Sequence, residues 1–171
     1  MDSQLASLFL ESSAGRLRLH MSRIAKCVET LSEDQVWARG SDNENAVGNL
    51  MLHLGGNVRQ WIISGIGGKP DVRVRDREFS ARGGIAPTEL VERLQTIVED
   101  ACRILPGVGA VQLAEPVTIQ NRTLTRLDAI YQVVDHFAQH TAQIIFATKM
   151  MTHADLAFYQ RLAAPQEEKK P

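Results

Sequence analysis

The sequence predicts an all-α fold, a four-helix bundle with short extra helices, on three observations. Four long segments repeat apolar residues at spacings of three and four. Proline and glycine punctuate the chain between them. Strand-like alternation is nearly absent. The 171 residues are 44% hydrophobic and 23% charged, the balance of a folded globular chain rather than a disordered one. They are read as one bundle domain over 1–171, with a frayed polar tail at 165–171.

The first helix covers about residues 3–30, where Leu5, Phe9, Leu17, Met21, Ile24, Val28 and Leu31 form one stripe. Ser32 followed by Gln35 is a capping-box pattern that starts a short helix, and Gly40 ends it. The second long helix covers about 46–63, capped by Asn43 or Asn45, with Val47, Leu50, Leu54 and Trp61 as its stripe. Gly65, Gly67, Gly68 and Pro70 break it. The arginine-rich stretch KPDVRVRDREFSARGG then reads as a long loop, either functional or mobile. Pro87 opens the third helix, striped by Leu90, Leu94, Val98 and Ala101 and closed by Pro106-Gly107. Residues 108–122 read as an irregular crossover with at most a short strand. Thr125 and Asp128 then cap a fourth helix over about 126–150, and a short extra helix is expected over 155–162.

Several function classes are excluded by composition. Lys plus Arg is 19 against 20 Asp plus Glu, a formal charge of −1, which leaves no basic footprint for nucleic acid. Cys27 and Cys102 form no Cys-x-x-Cys pair and no disulfide framework, so both are expected as inert core or boundary thiols in a reducing compartment. The N-terminal stretch lacks a basic n-region, and no apolar run reaches the ~18 residues of a membrane span. A cytoplasmic location with no membrane partner is expected.

The residues with chemistry in them are histidines. His136 and His140, in VVDHFAQHTAQIIF, stand four apart, so a helix puts both imidazoles on one face within reach of one metal ion. A catalytic metal usually has three protein ligands. His53 is the best third candidate, because it interrupts the second stripe between Leu50 and Leu54, where an unpartnered polar group is costly. Asn57, one turn on, and Gln143, one turn beyond His140, are placed to orient an imidazole or touch a substrate. His20 lies on the edge of the first stripe and His153 past the end of the fourth helix. The competing reading keeps the three histidines as hydrogen-bonded core or surface residues. Phe137 follows His136 where a zincin carries Glu, so no built-in glutamate base is present. Arg73, Arg75 and Arg77 alternate with Val72, Val74 and Asp76; they read as a solvated loop or as a lid that grips an anionic substrate.

Two strings, GNLMLHLGGNVRQWI from Gly48 to Ile62 and HFAQHTAQIIF from His136 to Phe146, resemble the DinB/YfiT-like metalloenzyme superfamily. The likeness runs from about residue 5 to 162 and takes in the arginine-rich loop that ends in Glu78-Phe79. It implies an up-down-down-up bundle and a divalent metal, zinc or nickel, on His53, His136 and His140. It also implies a homodimer and a thiol-dependent S-transferase or isomerase that uses a low-molecular-weight thiol on a small molecule. A metal-dependent hydrolase and a non-catalytic dimeric binding or stress-response bundle are the alternatives. The chain departs from the family in carrying Ala142, where glycine is frequent, before Gln143; the added methyl is expected to narrow helix packing.

Overall fold

The computed structural model describes residues 2–158. Its long helices are α1 (Ser3–Val28), α3 (Val47–Val58), α5 (Pro87–Ile104) and α7 (Arg126–Thr152). Between them lie α2 (Glu33–Trp37), α4 (Arg75–Ser80), α6 (Ala110–Ala114) and a hairpin of β1 (Pro116–Ile119) with β2 (Arg122–Thr125). No described helix is long and apolar enough to cross a membrane.

The helix order follows from which residues meet. Cys102 donates to the Ala14 carbonyl at 3.6 Å and Arg18 pairs with Glu99, so α1 and α5 run antiparallel. His20 lies by Phe137 and Cys27 by Thr148, so α1 and α7 run parallel. Gly55 faces Leu94 and Ile97 while Gly67, twelve residues on, faces Ile104, so α3 and α5 are parallel. Arg126 donates to the Ile66 carbonyl at 3.3 Å and His53 meets His136, so α3 and α7 are antiparallel. The result is an up-down-down-up bundle with α1 diagonal to α3 and α5 diagonal to α7. Leu17, Ile24, Leu54, Val98, Ile130, Phe137 and Ile144 fill its centre at 0% exposure. Burial of each contributes roughly 1.5–3 kcal/mol.

Parallel neighbours impose long connections. After α3 the chain must travel back the length of the bundle before α5 can start in the same direction. It does so along α3, and this return strap is the stretch expected as a loop. The strap carries α4, six residues long and too short to show a 3.6-residue period. Asn49 Nδ2, buried at 0% exposure, donates to the carbonyls of Glu78 (2.8 Å) and Ala81 (3.0 Å). Arg39 Nη2 donates to Asn49 Oδ1 (2.6 Å) and to the Phe79 carbonyl (2.9 Å). Two polar side chains thus satisfy the end of α4 and clamp the strap to the bundle.

Other expectations are corrected in detail. The α1 stripe begins at Ala6 and Leu10; Leu5 is 56% exposed. Neither Asn43 nor Asn45 caps α3. Ala46 is its N-cap, and the Ala46 N–H is taken by Asn49 Oδ1 at 3.2 Å. Regular α-helix stops at Val58, and the chain continues as a π-helix over Arg59–Ile66, a rare winding that often sits beside functional residues. The crossover before α7 holds α6 and an antiparallel hairpin rather than irregular chain. Its two turn residues, Gln120 (φ 51°) and Asn121 (φ 59°), both adopt positive φ, as a tight hairpin turn requires. The capping pattern at Ser32 and Gln35 forms as read, with both reciprocal bonds present. Thr125 caps α7, accepting from the Asp128 N–H at 3.1 Å. Cys27 and Cys102 are buried and unpaired. Residues 155–158 are not helical; the rest of the helix expected over 155–162, and the tail at 165–171, lie outside the described residues.

The clamp gives a stability prediction. Replacing Asn49 by Ala leaves the buried Glu78 carbonyl without its side-chain donor and the Ala46 N–H without its acceptor, each worth about 1–3 kcal/mol. Urea unfolding of Asn49→Ala is expected to show a loss of roughly 2–4 kcal/mol.

Candidate metal centre

His53 projects from the buried face of α3, and His136 and His140 project from the facing side of α7. Residues 83 positions apart in the chain meet because α3 and α7 are antiparallel neighbours. His53 Nε2 lies 3.1 Å from His136 Nε2, and His140 Nε2 lies 3.1 Å from the same atom. One ring nitrogen from each residue falls within 4.8 Å of the others. The rings stand at 68° to 86° to one another, edges converging rather than faces stacking. His53 is 7% exposed, whereas His136 and His140 are half-buried on the solvent side.

The groups behind the rings settle what the converging nitrogens are. Glu78 Oε2 lies 2.9 Å from His53 Nδ1. The carboxylate can only accept, while Arg73 Nη2, 3.1 Å from the same nitrogen, can only donate; the shorter carboxylate contact favours the tautomer with the proton on Nδ1 and the lone pair on Nε2. Gln143 Oε1 lies 2.6 Å from His140 Nδ1 and assigns that ring the same tautomer. Two lone pairs therefore point at His136 Nε2, which can donate only one hydrogen. A cation at the common point would satisfy all three nitrogens. The 3.1 Å separations are near the edge of about 3.3 Å expected for a tetrahedral site with nitrogen ligands at 2.0–2.1 Å. The residues present fit a divalent metal ion.

Burial and neighbouring charge hold two of the rings, His136 and His140, toward the neutral form. Burial, then the neighbouring His140 and His53 and the charges of Arg73 and Arg75, push His136 down to about 4. Burial also lowers His140, partly offset by its bond to Gln143. Burial alone would raise the Glu78 carboxyl, but hydrogen bonds from Arg73 and His53 outweigh it and hold the group below the usual carboxylate range. Arg73 grips that carboxylate with two donors, Nε to Oε1 at 2.7 Å and Nη2 to Oε2 at 2.8 Å. Its third arm, Nη1, donates to Gln60 Oε1 at 2.9 Å.

Room for this pair comes from Gly56, one helical turn after His53. A Cβ there would lie 1.9 Å from Glu78 Oε1 and 2.9 Å from Arg73 Nε. Glu78 was not among the residues that spacing singled out. It sits 25 positions from His53 on a short helix, and only its place at the end of the arginine-rich stretch marked it. Asn49 was likewise missed, although an asparagine inside the α3 stripe is a polar residue in need of partners.

The remaining expected residues are placed as follows. Gln143 is exposed and bonded to His140. Asn57 is 7% exposed, its Oδ1 buried with no hydrogen-bond partner among the described residues and no bond to a ring nitrogen of the cluster. His136 Nδ1 is buried without a partner in the same way. His20 lies apart from the cluster, and His153 is exposed at the C-cap of α7. Ala142 is exposed, so its methyl narrows no helix packing. Of the three arginines, Arg73 is committed to Glu78, while Arg75 and Arg77 are exposed.

The fold has a solved counterpart. A DinB-like protein of Bacillus subtilis, YjoA, superposes with a TM-score of 0.66 at 16% identity, over 86% of this chain and 96% of that one. No curated protein matches the sequence significantly. The profile of a family described as "Protein of unknown function (DUF1572)" matches residues 4–168, which include the strap and all three clustered histidines. With a DinB-like bundle and nearly its whole length matched, the chain belongs to the DUF1572 family.

Proposed function

We propose that this protein is a metal-dependent enzyme that holds one divalent cation, zinc or nickel, on His53, His136 and His140 and activates a nucleophile there. The observation that carries the reading is the convergence of one ring nitrogen each from His53, His136 and His140, with Glu78 and Gln143 on the far Nδ1 atoms of two of the rings. A divalent cation so held acts as a Lewis acid and brings the pKa of a thiol or water placed on it toward neutrality.

The chain's own residues do the rest. Glu78 keeps His53 in the ligating tautomer and raises its basicity, and Arg73 keeps Glu78 ionised. Gln143 does the same for His140. Asn57, with its unpaired amide oxygen, is a contact for water or substrate. The preferred reaction is thiol-dependent transfer or isomerisation on a small electrophile. In transfer, the thiol gives its proton to solvent, its sulfur forms a bond to the electrophilic carbon, and the displaced group leaves with the bonding pair; in isomerisation the sulfur adds to the electrophilic carbon and is expelled again, so the thiol is regenerated. Hydrolysis differs only in using water as the nucleophile; activity that requires an added thiol separates the two. Action in the cytoplasm and as a homodimer belongs to the same proposal.

Elemental analysis of protein purified without a histidine tag tests the metal. About one equivalent is expected in the wild type and little in His53→Ala; equally little in both would overturn the reading. With cation at 100 times its Kd, the wild type should gain about 2.7 kcal/mol against unfolding and the variant nothing.

Glu78→Gln keeps the shape of the side chain and removes its charge. Competition with a chelator is expected to show metal affinity lower by about 10–100-fold.

Acid acts in a defined window. His136 titrates near 6.5 in the unfolded chain and near 4 in the folded metal-free protein. Between these values the unfolded chain holds the extra proton, so stability falls as pH drops from 6.5 to about 4 and is level above. The Glu78 contribution is lost lower still, because its folded pKa is depressed. Urea titrations of metal-free protein at several pH values should show the first loss, and His136→Gln should reduce it.

A further inference from the structure

The strap carries three arginines at alternate positions, and the structure gives them different roles. Arg73 is closed to ligands: its side chain is 3% exposed and its donors are spent on Glu78 and Gln60. Arg75 is exposed, and its guanidinium carbon stands 4.7 Å over the centre of the Phe79 ring. That ring in turn packs on His53, centroid to centroid at 4.8 Å. Laid end to end, these distances put the Arg75 cation within about 9.5 Å of the His53 imidazole. Its charge is also felt at His136, where it is one of the influences that disfavour protonation.

Arg75 has no carboxylate within ion-pair distance among the described residues, although the nearby Glu78 charge is fully answered by Arg73. The Phe79 ring holds the guanidinium carbon at 4.7 Å while the side chain stays exposed, so its donors are available to grip a carboxylate. Arg77 is turned away. Two residues along a helix rotate by about 200°, which sends it to the far side of α4.

We infer that Arg75 is the residue that selects a carboxylate-bearing substrate or thiol at this site, holding the acid while the reacting atom reaches the point shared by His53, His136 and His140. The inference rests on the metal reading above. With the guanidinium carbon no more than about 9.5 Å from the His53 ring, a short acid whose carboxylate stands two or three carbons from its reacting atom is the length to try, with hydrogen bonds of about 2.8 Å at the arginine end.

The test uses cobalt-loaded protein, with 3-mercaptopropionate and its uncharged methyl ester as probes and the thiolate-to-cobalt absorption band as readout. The wild type should bind the acid about ten-fold more tightly than the ester. Arg75→Gln should bring the two to parity through weaker binding of the acid, with the ester unaffected. Arg77→Gln, which removes the same charge from the same helix, should keep the preference. Parity in the wild type, a preference that survives Arg75→Gln, or an equal loss in Arg77→Gln would overturn the inference and leave the metal reading standing. A cobalt spectrum that neither thiol perturbs overturns it as well. Failure to take up cobalt overturns the metal reading and this inference together.

Discussion

The structure turns on a carboxylate taken out of water. Glu78 is 8% exposed, and an ionised group in that position is tolerated only if its charge and lone pairs are answered. Arg73 answers the charge through two parallel donors, and the His53 ring answers on the remaining side. Gly56 has no side chain to collide with either partner. The pair costs desolvation energy, so its presence argues for a purpose beyond stability. Its geometry bears on the histidine cluster, since it sets a carboxylate 2.9 Å from Nδ1 of His53, the most buried ring of the three.

Topology explains how such a carboxylate reaches a helix-borne histidine. With α3 and α5 parallel, a return segment must run along the bundle, and it passes α3 at the level of His53. The strap is anchored at several points. Asn49 and Arg39 hold its backbone carbonyls, and Arg73 also reaches Gln60 in the π-helical turn. Gln60 accepts from Gln120 at the hairpin tip and donates to Asp71 at 2.7 Å. The hydrogen-bonded path from hairpin to His53 thus crosses segments that are remote in sequence, and the extra residue per turn of the π-helix falls at the crossing. The imidazoles are positioned by a frame rather than by one helix.

Much of this was visible before any coordinates. Long helices announce themselves through repeated apolar spacing, and α1, α3, α5 and α7 do so. His136 and His140 stand out by their interval of four, and His53 by its polarity in an apolar stripe. Three features were hidden for physical reasons. The six residues of α4 are held by Asn49 and Arg39 rather than by a face of their own, so their periodicity carries no signal. The hairpin turns on Gln120-Asn121 without glycine, the strongest mark of such a turn. Glu78 belongs to the site through a contact 25 residues long, and one sequence does not encode which distant acid meets which base. Leu5 shows the reverse error: it lies one residue, about 100° of helix rotation, from Ala6, and at that end Ala6 and Leu10 face the core while Leu5 faces solvent.

The strap also sets where this fold can change in length. Arg73 and Glu78 work as a unit only in their present register. One residue added between them would swing the carboxylate through about 100° and away from His53. Past the Asn49 clamp the constraint vanishes: Gly83 (φ 148°) and Gly84 (φ 82°) form an exposed turn with open space around both. Insertions and deletions among relatives should therefore collect at this glycine pair and spare the five-residue interval upstream, a frozen spacer beside a free one within a single connection.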